Sequence, residues 1–200
     1  MKFVIFLIVS AVTFIGCAKN DSDSKDESSS STAYEGTYLS SCSSDKRIYQ
    51  IDISGSTSTL TIKDYKDSNC QTDEGEHIIT ETITLGDNVT VTKNTDNSSI
   101  TAQKIDFTKT KHTYTFKNST DVTTNNANEA CGFSDWEINV PKDISSKLNQ
   151  TGCAESKAVG TITKEIILVN GNDLWLGDDS GSTDADNRTT VIKDTGLDKQ

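Results

Sequence analysis

Five cysteines carry the most specific chemistry of this sequence, and Cys17 stands apart from the other four. It follows Gly16 at the end of an apolar run, residues 3–15, which begins directly after the positive charge of Lys2. This order is typical of a secretory signal. The run is shorter than the ~20 apolar residues that a membrane-spanning helix needs. We therefore expect residues 1–16 to be a cleaved signal peptide.

The segment Phe14-Ile15-Gly16-Cys17 resembles a lipobox, with phenylalanine where leucine is usual. The thiol of Cys17 would carry a diacylglyceryl group, and the new amino terminus a further chain such as palmitate. At about 0.8 kcal/mol per buried CH2, several acyl chains make membrane attachment effectively permanent. The alternative is an ordinary signal peptide with Cys17 as a spare thiol. Because Ala18 follows instead of aspartate, we expect the outer membrane if the host has two membranes.

The other four cysteines form an even set, as expected for two disulfides in an oxidising compartment. They are Cys42, Cys70, Cys131 and Cys153. Three pairings are open, and we favour the sequential one because each pair then brackets one local segment. Loops of this length would each remove about 3 to 4 kcal/mol of unfolded-state entropy. Zinc is the rival use, but it is disfavoured because no C-x-x-C spacing occurs.

Candidate catalytic residues are few. His77 and His112 are the only histidines, and neither belongs to an H-x-x-x-H or H-E-x-x-H pair, so we expect surface or half-buried strand residues. No G-x-S-x-G elbow occurs, since the nearest context, residues 132–135, lacks the second glycine. The sequence therefore predicts no catalytic residue, no cofactor and no enzyme. A hydrolase is kept as a third alternative.

The charge of the chain limits its partners. The net charge is −11 and becomes −12 when Lys2 leaves with the signal peptide. A nucleic-acid partner or an anionic lipid surface is therefore not expected. The acidic stretch at residues 178–186 resembles a cation loop, but it lacks the glycine and the closing glutamate of an EF-hand. We expect a solvated loop without a bound metal there, with weak calcium binding as the alternative.

Period-two alternation of apolar residues recurs along the chain, whereas helical spacing is nowhere sustained. The alternating runs are Tyr49-Ile51-Ile53, Leu60-Ile62, Ile83-Leu85, Val89-Val91, Ile105-Phe107, Tyr114-Phe116, Trp136-Ile138-Val140 and Leu174-Leu176. Threonine fills many alternate positions and favours strands. The hydrophobic fraction of 32% therefore indicates a sheet with solvated outer faces.

Turn signals divide these runs into hairpins. We expect turns at residues 54–56, 86–88 and 170–171. The result is an all-β domain, a single antiparallel up-and-down barrel of about eight to ten strands. Three irregular segments, residues 66–76, 119–132 and 141–157, interrupt the sheet, and we expect the disulfides to staple them as loops.

Domain bounds follow from composition. Residues 17–33 comprise the lipidated cysteine and a Ser/Asp-rich segment without large apolar groups, which predicts a disordered tether. The barrel domain is assigned to residues 34–192. Residues 193–200 are assigned to a C-terminal tail.

Four segments together resemble the lipocalin-like, calycin-type domain of uncharacterised bacterial lipoproteins, over Tyr34 to Thr190. They are Gly36-Thr37-Tyr38 with Cys42, Tyr65-Lys66-Asp67-Ser68-Asn69-Cys70, Cys131-Gly132-Phe133-Ser134-Asp135-Trp136, and Gly171-Asn172-Asp173-Leu174-Trp175-Leu176-Gly177-Asp178. The resemblance implies an antiparallel calycin-type barrel. It also implies that Tyr38 closes one barrel end, as the tryptophan of the lipocalin Gly-x-Trp motif does, beneath Arg188. It implies no biochemical activity.

Inward aromatic side chains of a barrel either line a cavity or fill it. The candidate interior residues are Tyr49, Ile51, Tyr114, Phe116, Trp136 and Ile138. Two functions follow. The first is a membrane-anchored module that binds a small hydrophobic or amphipathic ligand. The alternative is a structural or interaction module of the cell envelope, with a filled barrel and an envelope protein as its partner.

Overall fold

The computed structural model describes residues 31–154, 156–179, 181–193 and 195–200. The expected signal peptide, Cys17 and most of the tether lie outside these residues. The strands are β1 Gly36–Leu39, β2 Arg47–Ser54, β3 Thr57–Tyr65, β4 Asp73–Lys93, β5 Ser99–Phe116, β6 Lys142–Asp143, β7 Ile162–Asn170, β8 Asp173–Leu176, β9 Val191–Ile192 and β10 Leu197–Lys199. One α-helix, α1 Ser119–Ala127, and two 3₁₀ helices, Ser31–Tyr34 and Ala130–Gly132, are also present. Among the described residues, no helix combines the length and the apolar character that crossing a bilayer requires.

Eight strands close into one antiparallel barrel in the order β1, β2, β3, β4, β5, β7, β8, β10 and back to β1. The pairing of β4 with β5 and of β10 with β1 closes the sheet. The two remaining strands are additions, since β6 pairs with β5 and β9 runs parallel to β4. The expected all-β, up-and-down barrel is confirmed.

Strands β4 and β5 form a hairpin that runs the length of the barrel. The turn expected at residues 86–88 is wrong, because this segment is a bulge between Leu85 and Asn88 within β4. The chain reverses instead at residues 94–98, where the carboxylate of Asp96 accepts the backbone N–H of Ser98. The expected turns at 54–56 and 170–171 are confirmed, with Gly55 and Gly171 at positive φ.

The bulge changes which side of the sheet β4 presents, because one extra residue reverses the alternation of side chains. Before it, Ile83 packs in the interior cluster; after it, Val91 packs in a separate cluster with Trp175 and Ile192. The interior cluster fills one half of the barrel and comprises Tyr38, Ile51, Ile53, Ile83, Ile105, Phe107, Ile167 and Leu174. The second cluster, which we call the outer cluster, lies between the sheet and β9.

Tyr38 is fully buried and closes one end of the barrel, and its hydroxyl donates to the carbonyl of Tyr34. Tyr34 in turn donates to Gln103. The cation over the Tyr38 ring is Lys199, whose Nζ lies 5.7 Å from the ring centroid. The expectation that Arg188 lies over Tyr38 is therefore wrong. Lys199 belongs to β10, so the assigned tail at residues 193–200 contributes a barrel strand.

Arg188 instead fixes the segment that covers the outer cluster. Its guanidinium donates to the backbone carbonyls of Ile105 and Glu165 and to the carboxylate of Asp106, at 2.6 Å. The carboxylate of Asp184 accepts the backbone N–H of Arg188. The acidic stretch therefore forms a turn that presents a buried arginine to β5 and β7.

The irregular segments differ from expectation in two places. Residues 119–127 form the polar helix α1, whose first turn is capped by the Asn118 side chain accepting from the N–H of Asp121. The strand expected over Trp136, Ile138 and Val140 is wrong, because residues 133–141 form a loop. Trp136 is buried there, whereas Ile138 is 47% exposed. The alternation of these three residues does not predict the structure here, because only Trp136 packs inward.

Both favoured disulfides are confirmed, Cys42–Cys70 and Cys131–Cys153. The first joins the β1–β2 loop to the β3–β4 loop. The second lies in a third apolar cluster, with Phe116, Trp136 and Ile144, over the end of the barrel opposite Tyr38. The disulfides thus staple the loops at this end, which we call the mouth.

Arg188→Met tests the role of the buried guanidinium. We expect the free energy of unfolding to fall by about 3 kcal/mol, because Asp106 loses its partner and the segment covering the outer cluster loses its anchor. Lys93→Met is the control, since the Lys93–Asp96 pair lies at the exposed β4–β5 turn and solvent screening should leave it a much smaller contribution. Urea unfolding of both variants measures the difference, and equal losses would contradict the assignment.

Candidate functional site

A cavity of about 940 Å³ occupies the mouth of the barrel, and we call it the mouth cavity. Its lining comes from β2 to β5, α1 and the loops around Cys131–Cys153. One wall is aromatic, with Tyr114, Phe116 and Trp136. It adjoins a polar wall with Arg47, Asp64, His77 and His112, because the rings of His77 and Tyr114 are in contact, with centroids 4.5 Å apart. Its volume lies within the range of small-molecule sites, which combine an apolar lining with a few polar groups.

The aromatic wall is built from edge-to-face contacts. The ring of Phe116 lies 4.8 Å from Tyr114 and 4.9 Å from Trp136, centroid to centroid, with interplanar angles of 90° and 84°. Trp136 reaches this position from a loop because Asn126 of α1 holds its backbone, accepting its N–H at 2.6 Å and donating to its carbonyl at 2.9 Å. The indole N–H donates to Ala130. These contacts fix the wall without a strand.

A glycine makes room for Tyr114. Gly75 on β4 pairs with Phe116 on β5, and a Cβ built on Gly75 would lie 2.0 Å from the Tyr114 hydroxyl oxygen. Any side chain at position 75 would therefore displace the phenol. The Tyr114 hydroxyl has no hydrogen bond to another described residue, so it offers a donor and an acceptor to a bound molecule.

The polar wall is one connected row of side chains across β2, β3, β4 and β5. Arg47 Nε lies 2.7 Å from Asp64 Oδ1, and Asp64 Oδ2 lies 3.2 Å from His77 Nε2. His77 Nδ1 lies 3.0 Å from His112 Nε2. The strand register places these residues side by side, since Arg47 pairs with Asp64 and His77 lies opposite Tyr114.

The row fixes the proton positions. An ionised Asp64 only accepts hydrogen bonds, so His77 must donate from Nε2. His77 Nδ1 then accepts from His112 Nε2, which leaves His112 Nδ1 without a proton when both rings are neutral. That Nδ1 is buried and has no partner among the described residues.

The electrostatics agree with this pattern. Burial, followed by the proximity of His77 and Lys109, lowers the pKa of His112 to about 4, with Asp143 opposing. Burial alone would raise the pKa of Asp64, but the hydrogen bonds from His77 and Arg47 outweigh it and lower the pKa. Burial also raises the pKa of Tyr114. At neutral pH the deepest ring, His112, is therefore uncharged and Tyr114 remains a phenol.

Only part of the candidate interior set meets in this cavity. Tyr114, Phe116 and Trp136 line it. Ile51 packs in the interior cluster at the closed half, and Tyr49 is half-buried on the same strand without lining the cavity. Ile138 is exposed on a turn, which corrects its expected interior position, because the chain there leaves the sheet.

The polar row was missed from the sequence, although a signal for it exists. Asp64 lies two residues after Ile62, His77 two before Ile79, and His112 two before Tyr114. Each polar residue thus occupies the inward parity of its strand. His112 is 2% exposed, so the prediction that it lies at the surface or half-buried is wrong. The alternation of apolar residues does not reveal these positions, because their own side chains are polar.

Comparisons with known proteins add nothing to this geometry: no protein-family model matches the chain, and no curated protein is similar to it. Across the described ranges, no group of three or more His, Cys, Asp or Glu side chains is arranged to hold a metal ion.

His112→Gln should flatten the pH dependence of stability. Because the folded pKa of His112 lies below the unfolded value of 6.5, the unfolded chain takes up the proton first, and stability is lost as pH falls from about 6.5 to about 4. We expect this loss to reach about 3 kcal/mol in the native sequence. Lys111→Gln, an exposed neighbour on β5, should keep the native profile. Urea unfolding between pH 7 and pH 4 measures it, and parallel profiles for the native chain and His112→Gln would refute the assignment.

Proposed function

We propose that this chain is a ligand-binding module that holds a small, uncharged, amphipathic molecule in the mouth cavity. The supporting observation is a cavity of about 940 Å³ whose lining combines an aromatic wall with an adjoining polar wall. An apolar part of the ligand would lie against Phe116 and Trp136. Its polar part would meet the Tyr114 hydroxyl and the row that contains His77.

The charge balance of the cavity favours an uncharged ligand. Three acidic and three basic side chains line it: Asp45, Asp64, Glu74, Lys46, Arg47 and Lys66. Arg47 and Asp64 are already paired with each other at 2.7 Å. A charged ligand would have to compete with this pair, and desolvating its charge would cost free energy. An anion would also meet a chain whose net charge is −11.

The alternative, an envelope module with a filled barrel, fits only one half of the interior. The closed half is filled by the interior cluster around Tyr38 and Ile105. The mouth is not filled, because a cavity of about 940 Å³ remains where Asp64, His77 and His112 take inward positions beside the aromatic wall. The cavity therefore favours ligand binding over a purely structural role.

We further propose that the barrel is held on a membrane through lipid on Cys17, in the outer membrane of a host with two membranes. The support is the order of the amino-terminal residues: Lys2, the apolar run, Gly16 and Cys17. The polar residues that follow would act as a flexible tether between the lipid and the 3₁₀ helix Ser31–Tyr34, which lies beside Tyr38 at the closed end of the barrel.

Binding of a neutral probe tests the first proposal. The exported barrel, residues 31–200, is titrated with N-phenylnaphthylamine and with its charged counterpart, anilinonaphthalene sulfonate. We expect the neutral dye to bind more tightly by about tenfold, or about 1.4 kcal/mol, since only the sulfonate adds charge. Fluorescence enhancement measures both affinities. Equal binding of the two dyes would remove the argument for an uncharged ligand.

The two tryptophans provide a matched control for the location of the dye. Trp136 lines the mouth cavity, whereas Trp175 lies in the outer cluster. We expect Trp136→Leu to weaken dye binding by about tenfold and Trp175→Leu to leave it unchanged, because only the first removes cavity wall. Unfolding curves for each variant show that the comparison is made between folded proteins. No dye binding by the native barrel would favour the envelope module instead.

Metabolic labelling tests the anchor. We expect labelled palmitate to appear on the native chain in the membrane fraction and to be absent from Cys17→Ser, because the thioether and the processing both require the thiol. A Cys42→Ser, Cys70→Ser double variant is the control, since it removes two cysteines but keeps the lipobox, and should retain the label. Label on the Cys17→Ser chain would refute the lipobox assignment.

A further inference from the structure

A serine and a buried lysine meet at the rim of the mouth cavity. Ser156 lines the cavity, and its Oγ lies 2.6 Å from Nζ of Lys109. Lys109 is only 6% exposed, and its Nζ also donates to the backbone carbonyl of Lys157 at 2.9 Å. A hydroxyl in contact with an oriented amine has the arrangement of an activated nucleophile and its base.

The fold positions both side chains. On β5 the register shifts by one residue where Thr80 and Glu81 face Lys111 and Lys109, and the extra residue, Thr110, bonds outward to the Thr80 carbonyl. This bulge places Lys109 beside Glu81. Bulges of this kind commonly re-aim a side chain next to a functional site.

Ser156 is held by its backbone. The Asn149 side chain accepts the N–H of Ser156 at 3.1 Å and donates to its carbonyl at 2.9 Å. The Cys131–Cys153 disulfide ties the preceding part of the loop to the third apolar cluster. The Asn149 side chain and the nearby disulfide therefore fix the backbone that carries the Ser156 hydroxyl.

The surroundings of Lys109 favour its uncharged form relative to a solvated lysine. Burial lowers its pKa, with a contribution from Lys157, while Glu81 opposes the shift. Glu81 raises the pKa of Lys109 only in its ionised form, and burial raises the pKa of Glu81 and so disfavours that form. No ion pair within 4.0 Å joins Lys109 to Glu81 among the described residues, so the amine is not committed to a carboxylate.

We propose that Ser156 and Lys109 are a nucleophile and a general base that hydrolyse an ester bound in the mouth cavity. The inference rests on the proposed function, because the ester is the uncharged, amphipathic ligand. Ser156 Oγ attacks the ester carbonyl carbon as its proton passes to the neutral Lys109 Nζ. The carbon–oxygen bond to the alcohol then breaks, and Lys109 returns the proton to the departing alkoxide. Water hydrolyses the acyl-serine by the same route, which releases the acid and restores both residues.

A fluorophosphonate probe tests this assignment on the full-length chain in isolated membranes. Such a probe forms a phosphonyl–oxygen bond to an activated serine and releases fluoride. We expect Ser156 to carry the label, identified by peptide mass spectrometry, and Ser156→Ala to lose it. Ser98→Ala is the control, since Ser98 lies at the β4–β5 turn beside Asp96 and not beside a lysine. Absence of label on Ser156 in the native chain overturns the proposal.

Lys109 is tested by the rate and the pH profile of labelling. General-base assistance contributes about 100-fold or more, so we expect Lys109→Met to slow labelling of Ser156 by about that factor. We also expect the native labelling rate to rise with pH about a midpoint below the 10.5 of a solvated lysine. An unchanged rate in folded Lys109→Met overturns the role of the lysine. If that variant does not fold, a native pH profile without this midpoint overturns it.

The result is separable from ligand binding. Native barrel that binds N-phenylnaphthylamine but gives no labelled Ser156 contradicts the hydrolase and leaves the binding module intact. Labelled Ser156 without dye binding contradicts the proposed ligand instead. If the barrel binds the dye but Ser156 is not labelled, Lys109 has only the structural role of joining the loop that contains Ser156 and Lys157 to the barrel.

Discussion

The full-length pairing of β4 with β5 is the constraint on which the rest of the molecule depends. These strands are 21 and 18 residues long, and their register decides which side chains share the interior. Toward the turn, Ile83 and Phe107 meet and fill the barrel. Toward the other end, His77 meets Tyr114, and Gly75 meets Phe116. One hairpin therefore encodes a packed half and a half that holds a cavity.

Polar residues inside a barrel cost free energy unless they are paired. Here that cost is offset because each polar side chain is paired with the next: Asp64 bonds to both Arg47 and His77, and His77 bonds to His112. The row ends at a buried His112 nitrogen without a partner among the described residues. An apolar residue at position 112 would pack with less electrostatic cost. The His112 ring nevertheless completes the row through its Nε2 contact with His77, and it keeps a polar group at the base of the mouth cavity.

The sequence predicted the features that depend on local alternation and chain proximity. The barrel follows from period-two runs such as Tyr49 to Ile53, and the sequential disulfides from short bracketed segments. Prediction from the sequence failed where contacts between distant residues decide the local structure. Gly86 reads equally as a turn or a bulge, and only pairing with β5 selects the bulge. Trp136 is drawn inward by Asn126, a contact that no periodicity contains. The polar row was hidden because its members are neighbours only across strands.

The loop over the mouth explains why a disulfide lies at this end and not at the closed one. Tyr38 and Lys199 close their end with strand residues, so the sheet itself supplies the support. The mouth is covered by a polar segment that contributes only a small apolar cluster. A covalent link between Cys131 and Cys153 restrains that segment without filling the space beneath it. Packing could have given the same rigidity only by adding large side chains, and these would have occupied the cavity. The disulfide thus reconciles an ordered rim with an open interior.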